Sequence, residues 1–176
     1  MLKSSPDRYG SVAVTIHWLT AILIVAMLGS GLQADQAADS AIQAGFLRVH
    51  IPAAIIVLLL TLFRIVWWWR FDRKPIPVEG PPPWQVRFAR FVHVAFYVVI
   101  LGMVASGIGM MVLSGAGPII FGGSGDLPDF HDYPPRVPHG IGAPLLIVLL
   151  VFHAGAALYH QFVLRDGLLG RMWYGN

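Results

Sequence analysis

Residues 137–164, VPHGIGAPLLIVLLVFHAGAALYHQFVL, are the most informative stretch of the chain. They are long enough to form a helix that crosses a bilayer, since about 20 apolar residues span the hydrocarbon core. They nevertheless contain three histidines, His139, His153 and His160. An ionisable side chain inside a membrane helix is unfavourable and is by default a candidate for function.

The spacing of two of these histidines predicts what they do. His139 and His153 stand at positions i and i+14. In an α-helix this spacing brings two side chains within roughly 40° of one face and roughly 21 Å apart along the axis. One helix face therefore presents two imidazoles at two depths. This arrangement predicts two metal centres stacked across a membrane.

The composition indicates an integral membrane protein. Of the 176 residues, 56% are hydrophobic and only 12% are charged, which is far from the balance of a soluble domain. Four apolar runs are long enough to span a bilayer. We therefore predict an all-α fold, a bundle of four transmembrane helices that forms one membrane domain over residues 1–176. The predicted spans are residues 12–32, 46–69, 86–113 and 137–164.

The absence of cysteine limits the cofactors that the chain can bind. The sequence contains no Cys, which excludes disulfides, thiolate metal sites, iron–sulfur clusters and the covalent attachment of c-type haem. Any haem must be bound non-covalently, through His or, as a weaker alternative, Met. We predict no nucleic-acid partner, because the distribution of the net charge of +3 has a membrane explanation.

The first span resembles a cleavable secretory signal, because a basic start precedes an apolar run and a stretch of small residues. Its apolar run is longer than the roughly 7–15 residues of a signal core, and it contains His17 and Trp18. We therefore expect this span to be retained as a membrane helix.

The basic residues predict the orientation of the chain. With a cytoplasmic N-terminus, ten Lys and Arg residues lie on or near the cytoplasmic side, and only Arg48 and Arg136 lie on the other side. Since cytoplasmic loops carry the excess of Lys and Arg, both termini are predicted to be cytoplasmic and the chain to lie in a bacterial inner membrane. The predicted helices are therefore surrounded by membrane lipid.

With this orientation the membrane histidines separate by depth. Four lie towards the cytoplasmic half (His17, His93, His153 and His160) and two lie towards the outer half (His50 and His139). Matching depths predict two pairs, His17 with His153 and His50 with His139. Each pair comes from two helices, so it can bind opposite faces of a flat macrocycle. Ligation by two histidines leaves no open position on iron, which suits electron transfer.

Some assignments remain open at the sequence level. His153 and His160 share a face, and depth alone does not separate them as the partner of His17. We favour His153, because it keeps about 21 Å between the two centres. His93 has three candidate partners: a backbone carbonyl, a haem propionate and a quinone. His131 lies in a polar loop and is predicted to be solvated.

Arg64 is the basic residue that most needs a partner. It follows His50 by 14 residues, so both point to the same face of the second span. An arginine in a membrane interior needs an anionic partner, and none of the four predicted spans contains an acidic residue. A haem propionate or a quinone oxygen would serve. The alternative is that the side chain extends to the lipid headgroups.

These features resemble the bacterial cytochrome b561 proteins, which are related to the cytochrome b subunits of nickel-iron hydrogenases and formate dehydrogenases. The resemblance covers nearly the whole chain and rests on a set of spacings. The matching features are Ile16-His17-Trp18, His50 with Arg64 fourteen residues later, His93, the H-x13-H of the last span, and Ala157-Leu158-Tyr159-His160.

The resemblance implies a four-helix membrane bundle that binds two b haems. It places His17 and His153 on the inner haem and His50 and His139 on the outer haem, in agreement with the depth pairing. Some stand-alone members are similar to superoxide:ubiquinone oxidoreductases, in which the position of His160 is a quinone contact. The outer loop of this chain differs, because it is acidic and a site that attracts superoxide should be positive.

We therefore predict a membrane cytochrome with two haems b that transfers electrons between an outer-side donor and the quinone pool, with ubiquinone as the electron partner. A quinone pocket at the inner haem would use His160 as hydrogen-bond donor, with Arg64 close by. One alternative is a haem-carrying membrane anchor subunit of a separate dehydrogenase or hydrogenase. Another is a histidine-lined metal or proton transporter, although the spans lack the Asp and Glu of a relay.

Overall fold

The computed structural model describes residues 1–77, 81–123 and 125–174. Three parts of the chain that the sequence analysis treated as connections or tail therefore lie partly outside the described residues. These are residues 78–80 of the predicted loop between the second and third spans, residue 124 of the predicted outer loop, and residues 175–176 of the tail.

Most of the described residues are helical, and no strand occurs among them, so the prediction of an all-α membrane bundle is confirmed. Four helices are long and apolar enough to cross a membrane. They are α1 (Ser11–Gln36), α2 (Ser40–Val66), α3 (Pro83–Ser114) and, after the four-residue helix α4 (Gly117–Ile120), α5 (Arg136–Tyr159). α2 continues as a π-helix over Trp67–Phe71 and α5 as another over His160–Leu164; short 3-10 turns cover Phe130–Asp132 and Leu169–Met172.

The predicted loop between the first two spans is much shorter in the structure. The sequence predicted a polar connection over residues 33–45, but only residues 37–39 separate α1 from α2. The carboxylate of Asp39 caps α2 by accepting hydrogen bonds from the backbone N–H groups of Ala41 and Ile42. Hydropathy marks where the apolar surface ends, whereas a helix continues until a cap or a breaker stops it. This is why the predicted boundary was wrong.

The four long helices pack as two antiparallel hairpins. α1 packs along α2, and α3 packs along α5, whereas contacts between the two hairpins are fewer. A buried cluster at mid-height joins the hairpins and takes one residue from each long helix: Ile24, Val57, Ile100 and Leu146. The hairpins therefore meet at this level, and the histidines lie above and below it.

Both ends of the chain lie at the same end of the bundle. The backbone N–H of Ser4 and its hydroxyl donate to the carboxylate of Asp72, which follows α2. The guanidinium of Arg171 donates to the backbone carbonyls of Pro6 and Ile76. The N-terminal segment, the start of the α2–α3 connection and the tail are thus tied together, as an even number of spans requires.

Asp72 gives this junction a dependence on pH. Burial by itself raises the pKa of this carboxyl, but hydrogen bonds from Ser4, from the backbone of Arg73 and from the indole of Trp67 lower the pKa below its usual 3.8. A carboxyl with a lowered pKa stabilises the fold above its unfolded-state pKa, and this stabilisation disappears as the pH falls through the folded-state pKa.

We expect Asp72→Asn to lower the free energy of unfolding near pH 7 by on the order of 1 kcal/mol, because the charge-assisted bonds weaken. The difference from wild type should shrink below pH 3.8. Thermal unfolding of the detergent-solubilised protein over a pH series measures it, with Asp132→Asn as the control. A difference that stays constant down to low pH would contradict this account.

Candidate functional site

The structure places the predicted histidine partners next to each other at two levels of the bundle. At one level His50 of α2 faces His139 of α5, with ring centroids 6.2 Å apart and ring planes at 65°. At the other level His17 of α1 faces His153 of α5, with centroids 6.1 Å apart and planes at 63°. The two pairs have nearly the same geometry, and each joins the two hairpins. Their role as metal ligands stays a prediction.

The spacing of both pairs fits a metal ion held between two imidazoles. An imidazole nitrogen binds a transition metal at about 2.0 Å, so two such bonds and the two ring radii place the centroids roughly 6.3 Å apart. The measured separations of 6.1 and 6.2 Å agree with this value. An edge-on contact between two aromatic rings also gives centroid separations of about 4.5–7 Å, so the argument for a metal rests on the repetition of the same geometry at two levels.

Hydrogen bonds determine the tautomer of His50. Its Nδ1 lies 2.9 Å from the backbone carbonyl oxygen of Met27 and 3.4 Å from the hydroxyl oxygen of Ser30. A carbonyl oxygen only accepts, so Nδ1 carries the hydrogen. Nε2 of His50 is then left with its lone pair, which is the form that binds a metal.

His139 is held in the same way by the other hairpin. Its Nδ1 lies 3.0 Å from both the carbonyl oxygen of Met103 and the hydroxyl oxygen of Ser106. The hydroxyl of Ser106 donates to the carbonyl of Met103, so its oxygen accepts from the imidazole. Both rings of this level are therefore oriented by the helix that packs beside them.

A glycine completes each of these supports. A Cβ on Gly31 would lie 3.0 Å from Cε1 and 3.2 Å from Nδ1 of His50. A Cβ on Gly107 would lie 3.5 and 3.8 Å from the same atoms of His139. The absence of a side chain lets α1 approach His50 closely, whereas α3 has somewhat more room beside His139.

The sequence analysis missed the internal repeat that produces this symmetry. α1 and α3 both carry the pattern H-x9-M-x2-S-G, and corresponding residues are separated by 76 positions. The corresponding pairs are His17 and His93, Ile24 and Ile100, Met27 and Met103, Ser30 and Ser106, and Gly31 and Gly107. Comparison of the first and third spans with each other would have found it.

The partner helices repeat as well. Positions in α2 and α5 correspond at a separation of 89 residues, which relates His50 to His139 and Val57 to Leu146. The buried cluster at mid-height thus consists of two related pairs. The repeat is broken at one position, where Arg64 of α2 corresponds to His153 of α5.

The level of His17 and His153 is more crowded and less symmetric. The ring of His93 lies 5.4 Å from that of His153, measured between centroids, and the ring of Phe96 lies at the same distance on an edge-on approach. Three imidazoles therefore meet at this level. Only the pair of His17 with His153 reproduces the separation seen at the other level.

Arg64 lies at this crowded level among other positive charges. Its Nε is buried and has no hydrogen-bond partner among the described residues. Burial lowers the pKa of Lys74, and the positive charges of Arg64 and Arg90 lower it further. Burial raises the pKa of the Tyr9 hydroxyl, and the positive charges of Arg171 and Arg64 partly offset this rise. This end of the bundle is electropositive and suits an anionic group.

His160 has an acidic partner that the sequence analysis did not consider. Nδ1 of His160 is hydrogen-bonded to a carboxylate oxygen of Asp166, just beyond the last span. No sequence spacing rule connects these two residues, because a left-handed turn of the backbone at Arg165 brings them together. His160 is thus held by Asp166, whereas His153 faces His17.

At the opposite end of the bundle the described residues include two arginines, of which one has an acidic partner. Arg136 forms an ion pair with Asp35 at the ends of α5 and α1. Nε of Arg48 donates to the backbone carbonyl of Ile120. His131 pairs with Asp129 in the connecting segment, and both side chains are 66% exposed, so the prediction that His131 is solvated is confirmed.

Comparison with known proteins places the chain in a family. The family model for prokaryotic cytochrome b561 matches residues 8–175. Cytochrome b561 homolog 1 of Escherichia coli is 26% identical, over 94% of this chain and 97% of its own length. A Yersinia pestis protein named probable superoxide oxidase CybB is 28% identical, over 94% and 95%. Cytochrome b562 of Cereibacter sphaeroides is 30% identical, over 93% and 94%. The chain belongs to the prokaryotic cytochrome b561 family and is a membrane cytochrome b that binds haem b and transfers electrons.

Proposed function

We propose that the protein binds two haems b and transfers electrons between a donor on the outer side of a bacterial inner membrane and the quinone pool. The observation that carries this proposal is the equal separation of two imidazole pairs, 6.1 and 6.2 Å, at two levels of one bundle. His17 and His153 would hold the iron of the inner haem, and His50 and His139 would hold that of the outer haem.

Haem b ligated by two histidines supplies one-electron transfer and has no open position for oxygen or substrate. The chain contributes the ligands and their surroundings. The carbonyl oxygens of Met27 and Met103 hold the Nδ1 hydrogens of the outer pair, which increases the electron density that Nε2 offers to a metal. The buried cluster between the levels excludes water from the space that separates them.

The orientation follows from the charges. The end that holds both termini and Arg171 carries most of the basic residues, and we assign it to the cytoplasm. The same end contains Arg64, whose guanidinium we assign to an anionic oxygen, either a haem propionate or a quinone oxygen. The electropositive surroundings of Arg64 support that assignment.

Electrons leave towards a quinone, most simply ubiquinone, at the cytoplasmic edge of the inner haem. His160 donates a hydrogen bond to a quinone carbonyl there, and an imidazole also exchanges protons near neutral pH. His93 lies against His153 and lines the same level, so it is the second candidate contact. Such a site accounts for an imidazole that lies beyond the inner pair.

The charges on the outer surface indicate which kind of electron donor suits this protein. Arg136 is paired with Asp35, and Asp129 is largely exposed beside His131. A small anion such as superoxide is attracted by an excess of positive charge, whereas the described outer residues include five Asp and only two Arg. We therefore propose a donor that is not anionic. One rival is the anchor subunit of a dehydrogenase, for which co-purification of a soluble partner would be diagnostic.

We expect the pyridine haemochrome assay on pure protein to give about two haems per chain, because two ligand pairs are present. His50→Ala should remove one spectral component and His17→Ala the other, since the pairs lie at separate levels. His131→Ala, in the solvated segment, is the control. Loss of the same component from both variants would show that the pairing is wrong.

The two glycines beside the outer pair provide a matched test. In Gly31→Ala the new methyl lies within 3.0 Å of the His50 ring, so we expect the outer haem to be lost from a large fraction of the protein or to show a changed low-spin electron paramagnetic resonance signal. In Gly107→Ala the nearest atom is 3.5 Å away, and the outer haem should stay unchanged. Equal effects of the two substitutions would contradict the placement of the His50 ring.

We expect His160→Ala to keep both haems and to slow haem reduction by a short-chain ubiquinol at least about tenfold, the usual effect of losing a general acid–base group. Stopped-flow absorbance and haem content measure the two quantities. An unchanged rate would remove His160 from the quinone site. Loss of the inner haem would instead make His160 the axial ligand in place of His153.

A further inference from the structure

The last membrane helix ends in a backbone conformation that few residues adopt. Beyond α5 the π-helix His160–Leu164 is followed by Arg165, whose φ is +53°. Arg165 is the only non-glycine residue with positive φ among those that the structure describes. A left-handed conformation is unfavourable for a residue with a Cβ, and it persists where the surrounding structure requires it.

This turn brings an acidic side chain back onto the helix. The backbone N–H of Asp166 lies 3.4 Å from the carbonyl oxygen of His160. One carboxylate oxygen of Asp166 accepts from Nδ1 of His160, and the other accepts from the backbone N–H of Leu168 at 3.0 Å. Three hydrogen bonds therefore join residues 160–168 into one closed unit.

The pair is largely shielded from water. The side chains of His160 and Asp166 are 19% and 18% exposed. Burial alone raises the pKa of Asp166, but the hydrogen bonds from His160 and from the backbone of Leu168 lower its pKa below the usual value, so the carboxyl is ionised near neutral pH. An ionised carboxylate accepts only, so Nδ1 of His160 carries the hydrogen and Nε2 points away from Asp166.

A second pair of the same chemistry shows that this arrangement is not a general property of neighbouring His and Asp. His131 and Asp129 are also hydrogen-bonded, but both side chains are 66% exposed. Solvent screens that pair, and its imidazole faces water rather than a protein interior. Only the pair at the end of α5 is enclosed.

We propose that Asp166 is a positioning residue that holds His160 with Nε2 directed to a quinone carbonyl, so that the two side chains deliver a proton as the quinone is reduced. This inference rests on the proposed quinone site. A carboxylate on the far nitrogen keeps the imidazole in one tautomer and orientation and stabilises the imidazolium, as in other His–Asp pairs that transfer protons.

The quinone is the oxidant, and the electron donor of the proposed function, acting through the haems, is the reductant. Reduction to the quinol takes two electrons, which arrive one at a time, and two protons. His160 supplies one proton from its imidazolium form, in which Nδ1–H stays bonded to Asp166: the Nε2–H bond breaks, an O–H bond forms on the adjacent quinone oxygen, and cytoplasmic water returns a proton to Nε2. The other quinone oxygen takes its proton from the same water. In the reverse direction, the oxidation of a quinol, Nε2 of the neutral imidazole accepts the proton.

The surface next to the pair has room for that water. Two cavities, of about 320 and 410 Å³, share Gln161 and Phe162, the residues that follow His160. The first is also lined by Arg165 and Gly167, which flank Asp166. Space that water can enter therefore adjoins the turn on the side of the chain termini.

The test is Asp166→Asn in the haem-loaded, detergent-solubilised protein, with a short-chain ubiquinol as the probe. We expect unchanged haem content, a maximal rate of haem reduction lowered at least about tenfold, and a KM within about twofold of wild type. Asp166→Glu should restore part of the rate. The double variant with His160→Ala should be no slower than His160→Ala alone, because the two residues act as one unit.

Two controls separate this role from general damage. Asp129→Asn breaks the exposed His–Asp pair and should leave the rate unchanged. Arg165→Gly keeps the turn and relieves its strain, so the rate should stay at wild-type level while thermal stability stays equal or rises. The solvent deuterium isotope effect on the rate should change in Asp166→Asn, which a purely structural role would not produce.

The outcomes are distinct for the two proposals. If His160→Ala slows haem reduction and Asp166→Asn does not, this inference is overturned and the quinone site stands. If neither variant changes the rate, both fail. If Asp166→Asn loses haem, or slows the reaction and Asp129→Asn slows it equally, the carboxylate is a structural anchor and the inference is overturned.

Discussion

Two imidazoles, one from each hairpin, face each other at each of two levels of the bundle. The centroid separations of 6.1 and 6.2 Å are too long for a direct hydrogen bond between the rings and match the distance that the proposed haem iron requires. The helices pack closely within each hairpin, and the hairpins meet at a small apolar cluster at mid-height. Close packing elsewhere between the hairpins would remove the space that a flat macrocycle needs. The fold is therefore a pair of hairpins held apart rather than an evenly packed bundle.

The internal repeat explains why the two levels differ. At the level of His50 and His139, corresponding residues of the two hairpins play the same part, down to the carbonyl and the serine that accept from each Nδ1. At the other level the repeat is broken, because Arg64 stands where the repeat would have a second histidine in the position of His153. Under the proposed ligation α1 supplies His17 at this level, because a guanidinium does not ligate iron. The break also places a positive charge beside the pair of His17 and His153 only.

The two ends of the bundle also differ in charge. Positive side chains gather around Arg64 and the chain termini, whereas the arginines of the opposite end are paired with Asp35 or with a backbone carbonyl. A positive environment stabilises the reduced form of a haem and any anionic oxygen near it. This asymmetry of charge supports the proposal that electrons move towards the end that holds Arg64 and the enclosed pair of His160 and Asp166.

The sequence by itself determined the class of the protein, because a membrane requires long apolar helices and makes every histidine inside them conspicuous. The depth of His17, His50, His139 and His153 along their helices was sufficient to predict which imidazoles meet, since rise per residue is constant in a helix. Helix boundaries were predicted less well, because residues 33–36, three of which are polar, extend α1 beyond the apolar run. Only the tertiary structure decided what lies beside each ring. The acceptors of His50 and His139 are on neighbouring helices, and Asp166 reaches His160 through a left-handed residue that no helical spacing rule describes.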